Sequence, residues 1–393
     1  MRASTSLFGL SVLALAACGS GDIGSVPKVE QPDEPPTHAD FDIADLSAEE
    51  TTAYLEKIAP PLVGRVLEEA ERAQIDDEGG AAIVPILEAW GSEPGLVLSA
   101  RSLMEEKLSV SGASVEIDYS LPGNLVAYVV ANDKPWAEIL TSQACYDGEG
   151  GVIECDSGAP FTAGVLTTRG YLASRASRFN LTRSSTLMRA FACQIYPQEE
   201  DLQPKIAPER LMHLFAITDL NEATAEEIGA AVNTGCACHD CHGQFAAHSQ
   251  LFVKFDETGV YQPAADGIQD PEGELGRSLN GLMASHFEDP TEAASEESQI
   301  FGTPVTNLAE AASALSEHPV FVQCAAQNVL EYTLRIDTAG PLGKTVDAEL
   351  LGRIAESTEA PGHKPTYAEI VKATFSDPGV VLTVVQGLTG DEQ

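Results

Sequence analysis

Residues 235–243 read GCACHDCHG, placing three cysteines and two histidines within nine positions of a chain that has only eight of each. Cys238-x-x-Cys241-His242 is the attachment signature of a c-type haem. Two thiols one helical turn apart reach the two vinyl groups on one porphyrin edge, and the adjacent histidine lies under the iron as proximal ligand. Zinc is the main rival, because Cys236, Cys238, Cys241 and His242 are four donors of the right types. Structural zinc sites usually split their ligands into two separated pairs that tie distant chain together, whereas these four crowd one loop. Plain disulfides are the third possibility, and a thioredoxin-like redox pair lacks the surrounding βαβ pattern. The compartment decides which chemistry the thiols meet.

The N-terminus points to export. Arg2 precedes the uncharged run LFGLSVLALAAC, which is too short to span a bilayer and ends in small residues. Leu15-Ala16-Ala17-Cys18 has the form of a bacterial lipobox, in which Cys18 takes the lipid, and Gly19 after it favours the outer membrane. The expected order is a signal peptide over 1–17 and a Pro-, Gly- and acid-rich disordered tether over 18–40. The folded body then starts near Phe41. In an oxidising compartment Cys145 and Cys155, which flank the turn-rich YDGEGGVIE, are expected to close a local disulfide. An exported context also raises the specificity of the haem motif, since cytosolic thiols at this spacing more often bind zinc or cycle as redox pairs.

The elements that would position this chemistry read as helices. SAEETTAYLEKIAPP opens with the capping box of Ser47 and Glu50, spaces its apolar residues at Tyr54, Leu55 and Ile58, and is expected to stop at Pro60-Pro61. Further helices are expected over 62–73, ended by DDEGG, and over 94–108, 125–131 and 135–142. Only SVEIDYSL alternates as a strand does, so little β-structure is expected. With 22 Lys+Arg against 60 Asp+Glu, the formal net charge of −38 argues against nucleic acid and against docking on anionic lipid. No Ser nucleophile elbow, P-loop, H-E-x-x-H or dinucleotide fingerprint occurs, so an electron carrier fits better than an enzyme.

Against that acidic background, Arg169, Arg175, Arg178, Arg183 and Arg189 fall in one short segment. Guanidinium forks suit carboxylates. Their partners are either the protein's own abundant acid or buried anionic ligand groups such as haem propionates, for which Arg169, Arg175 and Arg178 are the candidates.

Several stretches in order carry a resemblance. CHDCHGQFAAHSQLFVKFDETGVYQP resembles the cytochrome-like segment of planctomycete-type and myxobacterial exported proteins, in which C-x-x-C-H is followed by an apolar stretch and then F-D-x-x-G-x-Y, here Phe255 to Tyr261. LVAYVVANDKPWAEILTS and AGVLTTRGYLASRASRFNLTRSSTLMRAFACQI resemble the elements upstream of the haem motif in that family, and FVQCAAQNVLEYTLR and TYAEIVKATFSDPGV its closing helices. These are largely domains of unknown function, so the resemblance implies an exported haem-binding or electron-transfer role and no substrate. It also implies a Cys193–Cys324 disulfide, since the resembling proteins carry cysteine at both positions; Cys236 is the odd thiol and could displace either partner. Members often place a proline soon after the haem histidine, where this chain has Phe245-Ala246-Ala247-His248.

The sixth iron ligand would separate electron transfer from catalysis. Met283 in GRSLNGLMASHF is the leading distal candidate, since methionine commonly completes small cytochromes c, and His286 and His248 stand behind it. The expected fold is mainly α, a multi-helical body with an N-terminal helical region over 41–160, a C-terminal cytochrome-c-like haem region over 161–393 and little β. The expected role is one-electron transfer by an outer-membrane lipoprotein, anchored through Cys18, carrying one covalent haem and serving a redox partner protein. The competing role is a non-redox helical lipoprotein in which haem or zinc is a structural staple for binding a partner or glycan.

Overall fold

The first folded helix is set by its ends. Ser47 accepts from the backbone N–H of Glu50 while the Glu50 carboxylate accepts from the Ser47 N–H, so α1 (Ala48–Val63) starts on a complete capping box. It does not stop at Pro60-Pro61. The prolines sit inside the last turn, Leu62 and Val63 are buried, and Gly64 at φ 72° closes the helix with a bond to the Pro60 carbonyl. Continuing the apolar stripe of Tyr54, Leu55 and Ile58 onto Leu62 offsets the two lost backbone donors. This is a tertiary gain that local propensity does not contain.

In this computed structural model, residues 41–176, 180–194, 248–263, 296–336 and 348–389, apart from 359 and 361, are described, all within the compact unit Phe41–Gln393. After α1 come α2 (Glu69–Glu78), α3 (Ile83–Trp90), α4 (Pro94–Leu108), α5 (Leu121–Ala131), α6 (Glu138–Thr141), α7 (Arg169–Ser174) and α8 (Leu181–Ala192). Then follow α9 (Leu308–Glu317), α10 (Pro319–Leu334), α11 (Ala348–Thr358), α12 (Tyr367–Phe375) and α13 (Pro378–Thr389). The described strands form two hairpins only, β1 (Cys145–Tyr146) with β2 (Val152–Ile153), and β3 (Ser298–Ile300) with β4 (Thr303–Val305). The fold is mainly α.

Several boundaries differ from the sequence pattern. The helix expected over 62–73 is replaced by a connection and then α2, whose start is fixed by reciprocal Glu68–Glu71 bonds and whose one buried side chain is Ile75. The alternating SVEIDYSL is no strand. Val115 is fully solvent-exposed and residues 115–117 are bends, so the pattern has neither a core to face nor a neighbouring strand to pair with among the described residues. The helix expected over 135–142 shrinks to α6, because Pro135 bridges Thr366 and the Trp136 N–H donates to the Pro365 carbonyl at 2.8 Å.

One apolar core runs from Leu46 to Val385 and is shared by residues 41–160 and the described later part. α10 is its hub, packing on α1, α4, α8, α9, α11 and α12, with Phe321, Cys324, Val329 and Leu330 buried. α1 also packs on α13, and the buried Tyr54 hydroxyl donates to the Phe375 carbonyl at 2.7 Å. None of the described helices is long and apolar enough to cross a membrane.

The α1–α4 crossing is close at Gly95, where an added Cβ would lie 1.9 Å from the Val63 carbonyl oxygen. In an exposed helix, glycine to alanine stabilises by about 1 kcal/mol. Here Gly95→Ala is expected to do the opposite, lowering stability by roughly 1–3 kcal/mol in urea unfolding, because backbone must move to admit the methyl.

Candidate functional site

The arginine-bearing segment precedes the Cys238-x-x-Cys241-His242 motif in sequence, and it is built around one buried cation. Thr168 caps α7 through its hydroxyl and the Tyr171 N–H, and Tyr171 is buried with its hydroxyl donating to the Arg183 carbonyl at 2.7 Å. Arg183, on α8, is wholly buried. Its Nε donates to the Leu172 carbonyl at 2.9 Å, Nη1 to the Phe255 carbonyl at 2.9 Å and the Asn180 Oδ1 at 3.3 Å, and Nη2 to the Asp256 carbonyl at 2.6 Å. Burial pulls its pKa down to about 10, against the field of Tyr171, Asp256 and Glu257, so it stays protonated at neutral pH. Carbonyl dipoles, not a direct carboxylate contact, hold the charge.

That geometry explains F-D-x-x-G-x-Y. Asp256 folds a tight turn in which its Oδ1 accepts from the Thr258 N–H, the Thr258 hydroxyl and the Val260 N–H. Burial raises its carboxyl pKa, and these bonds with that from Gln262 pull it back below the ordinary aspartate value. Gly259, at φ 79°, leans on Leu172, where a Cβ would come within 2.8 Å of the Leu172 Cβ. Tyr261 packs edge-on against Phe255 and Phe161, gives its hydroxyl to Glu296 at 2.7 Å, and takes the Ser157 carbonyl with its N–H. The motif is a docking turn whose backbone carbonyls are presented to Arg183.

The other arginines divide. Arg169 gives Nε to the Thr258 carbonyl and Nη1 to the Glu116 carbonyl, and its N–H caps Asp156. Arg175 is different. Half-buried at the end of α7, it has a buried Nε with no hydrogen-bond partner, and burial and the like charge of Arg189 both lower its pKa. Arg189 is exposed on α8. A desolvated guanidinium without a carboxylate is costly, and in a chain with 60 acidic residues it is not for want of acid.

Two disulfides frame the region. Cys145–Cys155 closes the β1–β2 hairpin, and Cys193–Cys324 joins the end of α8 to α10 across a sequence separation of 131. Asn328, one turn on from Cys324, donates to the Ala190 carbonyl at 2.8 Å and seals the same joint. The 193–324 loop encloses the haem motif and Met283 in sequence. Cys18, Arg178, Cys236, Cys238, Cys241, His242, Met283 and His286 lie outside the described residues. Among the described residues no cluster of three His, Cys, Asp or Glu side chains is arranged to hold a metal.

His248 opens the stretch that leads into the docking turn. Burial pushes its imidazole down to about 4, although one edge keeps some solvent contact, so it is neutral at pH 7. Arg183 as a keystone was missed from the sequence, where its type and spacing match its four neighbours; the carbonyls it holds belong to residues up to 73 positions away. Compared with protein-family models, curated proteins and solved structures, the chain matches none. Fold and site together define a mainly helical, disulfide-clamped protein.

Arg183→Met orphans the buried carbonyls of Leu172 and Phe255 and is expected to cost about 3 kcal/mol or more in chemical unfolding, and Arg183→Lys is not expected to restore it, because an ammonium lacks the planar fork. For His248, the unfolded imidazole takes up its proton near 6.5 and the folded one only near 4. Its contribution is therefore complete above pH 6.5 and is lost as pH falls toward 4, by at most about 3 kcal/mol. His248→Gln should flatten the stability curve between those two values, as read by thermal or urea unfolding at half-unit pH steps.

Proposed function

We propose that this chain is an exported c-type-haem lipoprotein for one-electron transfer in the periplasm or at the cell surface. The observation that carries it is Cys238-x-x-Cys241-His242 in a chain that opens with a lipobox ending at Cys18. Pairing of the four described cysteines in disulfides supports an oxidising compartment, where thiols free to hold haem are the remaining ones. In this proposal Cys238 and Cys241 form the thioethers, His242 is the proximal iron ligand, and Met283 is the distal ligand ahead of His286.

The residues present fit such a group at one described position. Arg175 is half-buried with its Nε buried and unpartnered, in the segment that precedes the motif, and a propionate carboxylate is a group that would satisfy it. Arg169 has already donated through two of its guanidinium nitrogens to carbonyls, so Arg175 is the better propionate partner of the two. Bound haem supplies a one-electron iron couple. The chain's own part is to hold it covalently, to ligate the iron, to balance propionate charge and, through the Cys193–Cys324 clamp, to fix the ends of the segment that carries it. A cytochrome-c-like C-terminal region and an outer-membrane location belong to this proposal, as does a redox partner protein that meets a strongly acidic surface.

The test is a pyridine haemochrome spectrum of the chain matured with a cytochrome c assembly system, beside a Cys238→Ala/Cys241→Ala variant. A c-type α-band that survives acid-acetone extraction and disappears in the variant is the expected result. A colourless protein retaining zinc would overturn electron transfer in favour of a metal-stapled binding protein. In the haem-loaded chain Arg175→Gln should move the reduction potential to more negative values, since removing a cation favours the oxidised, more positive iron.

A further inference from the structure

A cavity of about 540 Å³ lies between the Pro135–Ala137 turn, the α9–α10 junction and the loop that carries Ala360 to Pro365. Its size is in the range of about 300–1,000 Å³ typical of small-molecule sites. Tertiary bonds fix its walls. The Trp136 N–H holds the Pro365 carbonyl, the His363 N–H holds the Ala360 carbonyl, and the Trp136 indole packs on Tyr367 at 4.8 Å. Trp136 and Phe321, each 2 % exposed, with Val322, supply an apolar and aromatic lining.

The polar groups on the lining are chemically specified. His318 accepts the Val320 N–H at Nδ1 and stacks on Phe301 at 4.3 Å, so its Nε2 carries the ring proton as a donor. His363 is held through Nε2 by the Glu369 carboxylate at 2.9 Å, which also accepts the Thr366 N–H. Lys364 brings an ammonium whose ion-pair partner among the described residues is Glu317 at 3.6 Å, with both side chains more than half exposed. Such a pair is weak and opens readily. Among the described lining residues Glu317 is the only carboxylate, and two of the chain's eight histidines meet a lysine there in a protein of net charge −38.

We propose that this cavity binds a small organic carboxylate with an apolar, ring-bearing body, the ring lying on Trp136 and Phe321 and the carboxylate taken by Lys364 in place of Glu317 and by the His318 imidazole. The proposal does not rest on haem attachment. Isothermal titration of the full chain uses benzoate as probe and benzyl alcohol as its neutral counterpart, on the parent, Lys364→Gln and Val322→Phe. Expected are saturable one-to-one binding of benzoate, at least fivefold tighter than benzyl alcohol, a loss of at least fivefold in Lys364→Gln with benzyl alcohol unaffected, and loss of both ligands in Val322→Phe. No saturable benzoate binding to the parent, or a loss smaller than fivefold in Lys364→Gln, overturns the proposal. Should a variant fail to melt cooperatively, the parent alone decides: equal affinity for benzoate and benzyl alcohol overturns it.

Discussion

The described core of the arginine region depends on a cation that no direct carboxylate contact neutralises. Arg183 is buried among the carbonyls of Leu172, Phe255 and Asp256, and the first two would be orphans without it. Because they belong to two separate stretches, one guanidinium fork on α8 fixes α7, α8 and the Asp256 turn relative to one another. A planar fork with five donors is suited to this, since its several bonds are satisfied in one orientation. Tyr171 closes the arrangement from the other side by taking the Arg183 carbonyl, so the arginine is pinned through both main chain and side chain.

The second constraint is covalent. Joining Cys193 to Cys324 removes the closure entropy of a loop of more than a hundred residues from the unfolded chain, which in the chain-entropy account is worth about 5 kcal/mol. It acts where α8 meets the hub helix α10, so the two ends of the segment carrying the cysteine-histidine motif are held by the best-packed part of the molecule. The Asn328 bond to the Ala190 carbonyl adds a polar seal at that joint. The acidic surface plays no part in this interior; it governs solubility and which partners approach.

Much of the helical content was legible because periodicity and caps are local. The bounds of α4 match the pattern from Pro94 to Leu108, and the Ser47–Glu50 capping box is formed as its residues suggest. Where the pattern failed, a distant partner had intervened. Pro135 and Trp136 were drawn out of a helix by the 365–366 backbone, Pro60 and Pro61 were kept in one by burial of Leu62, and Val115 alternates in a stretch that faces no core. The arginines show the same limit. Their clustering was visible, but at Arg169 and Arg183 the partners are carbonyls, which every residue possesses and no sequence pattern marks.

The sequence by itself determined the helical class, the capped start of α1, the cysteine-histidine motif and the lipobox, all properties of neighbouring residues. Only the tertiary structure decided that F-D-x-x-G-x-Y is a docking turn for Arg183, that Arg175 alone of the described candidate arginines keeps a buried nitrogen unsatisfied, and that Trp136, His318 and Lys364 share one cavity. Those outcomes depend on which backbone groups are brought within about 3 Å of a side chain, a contact set by packing across a hundred or more residues and so carried by no local pattern.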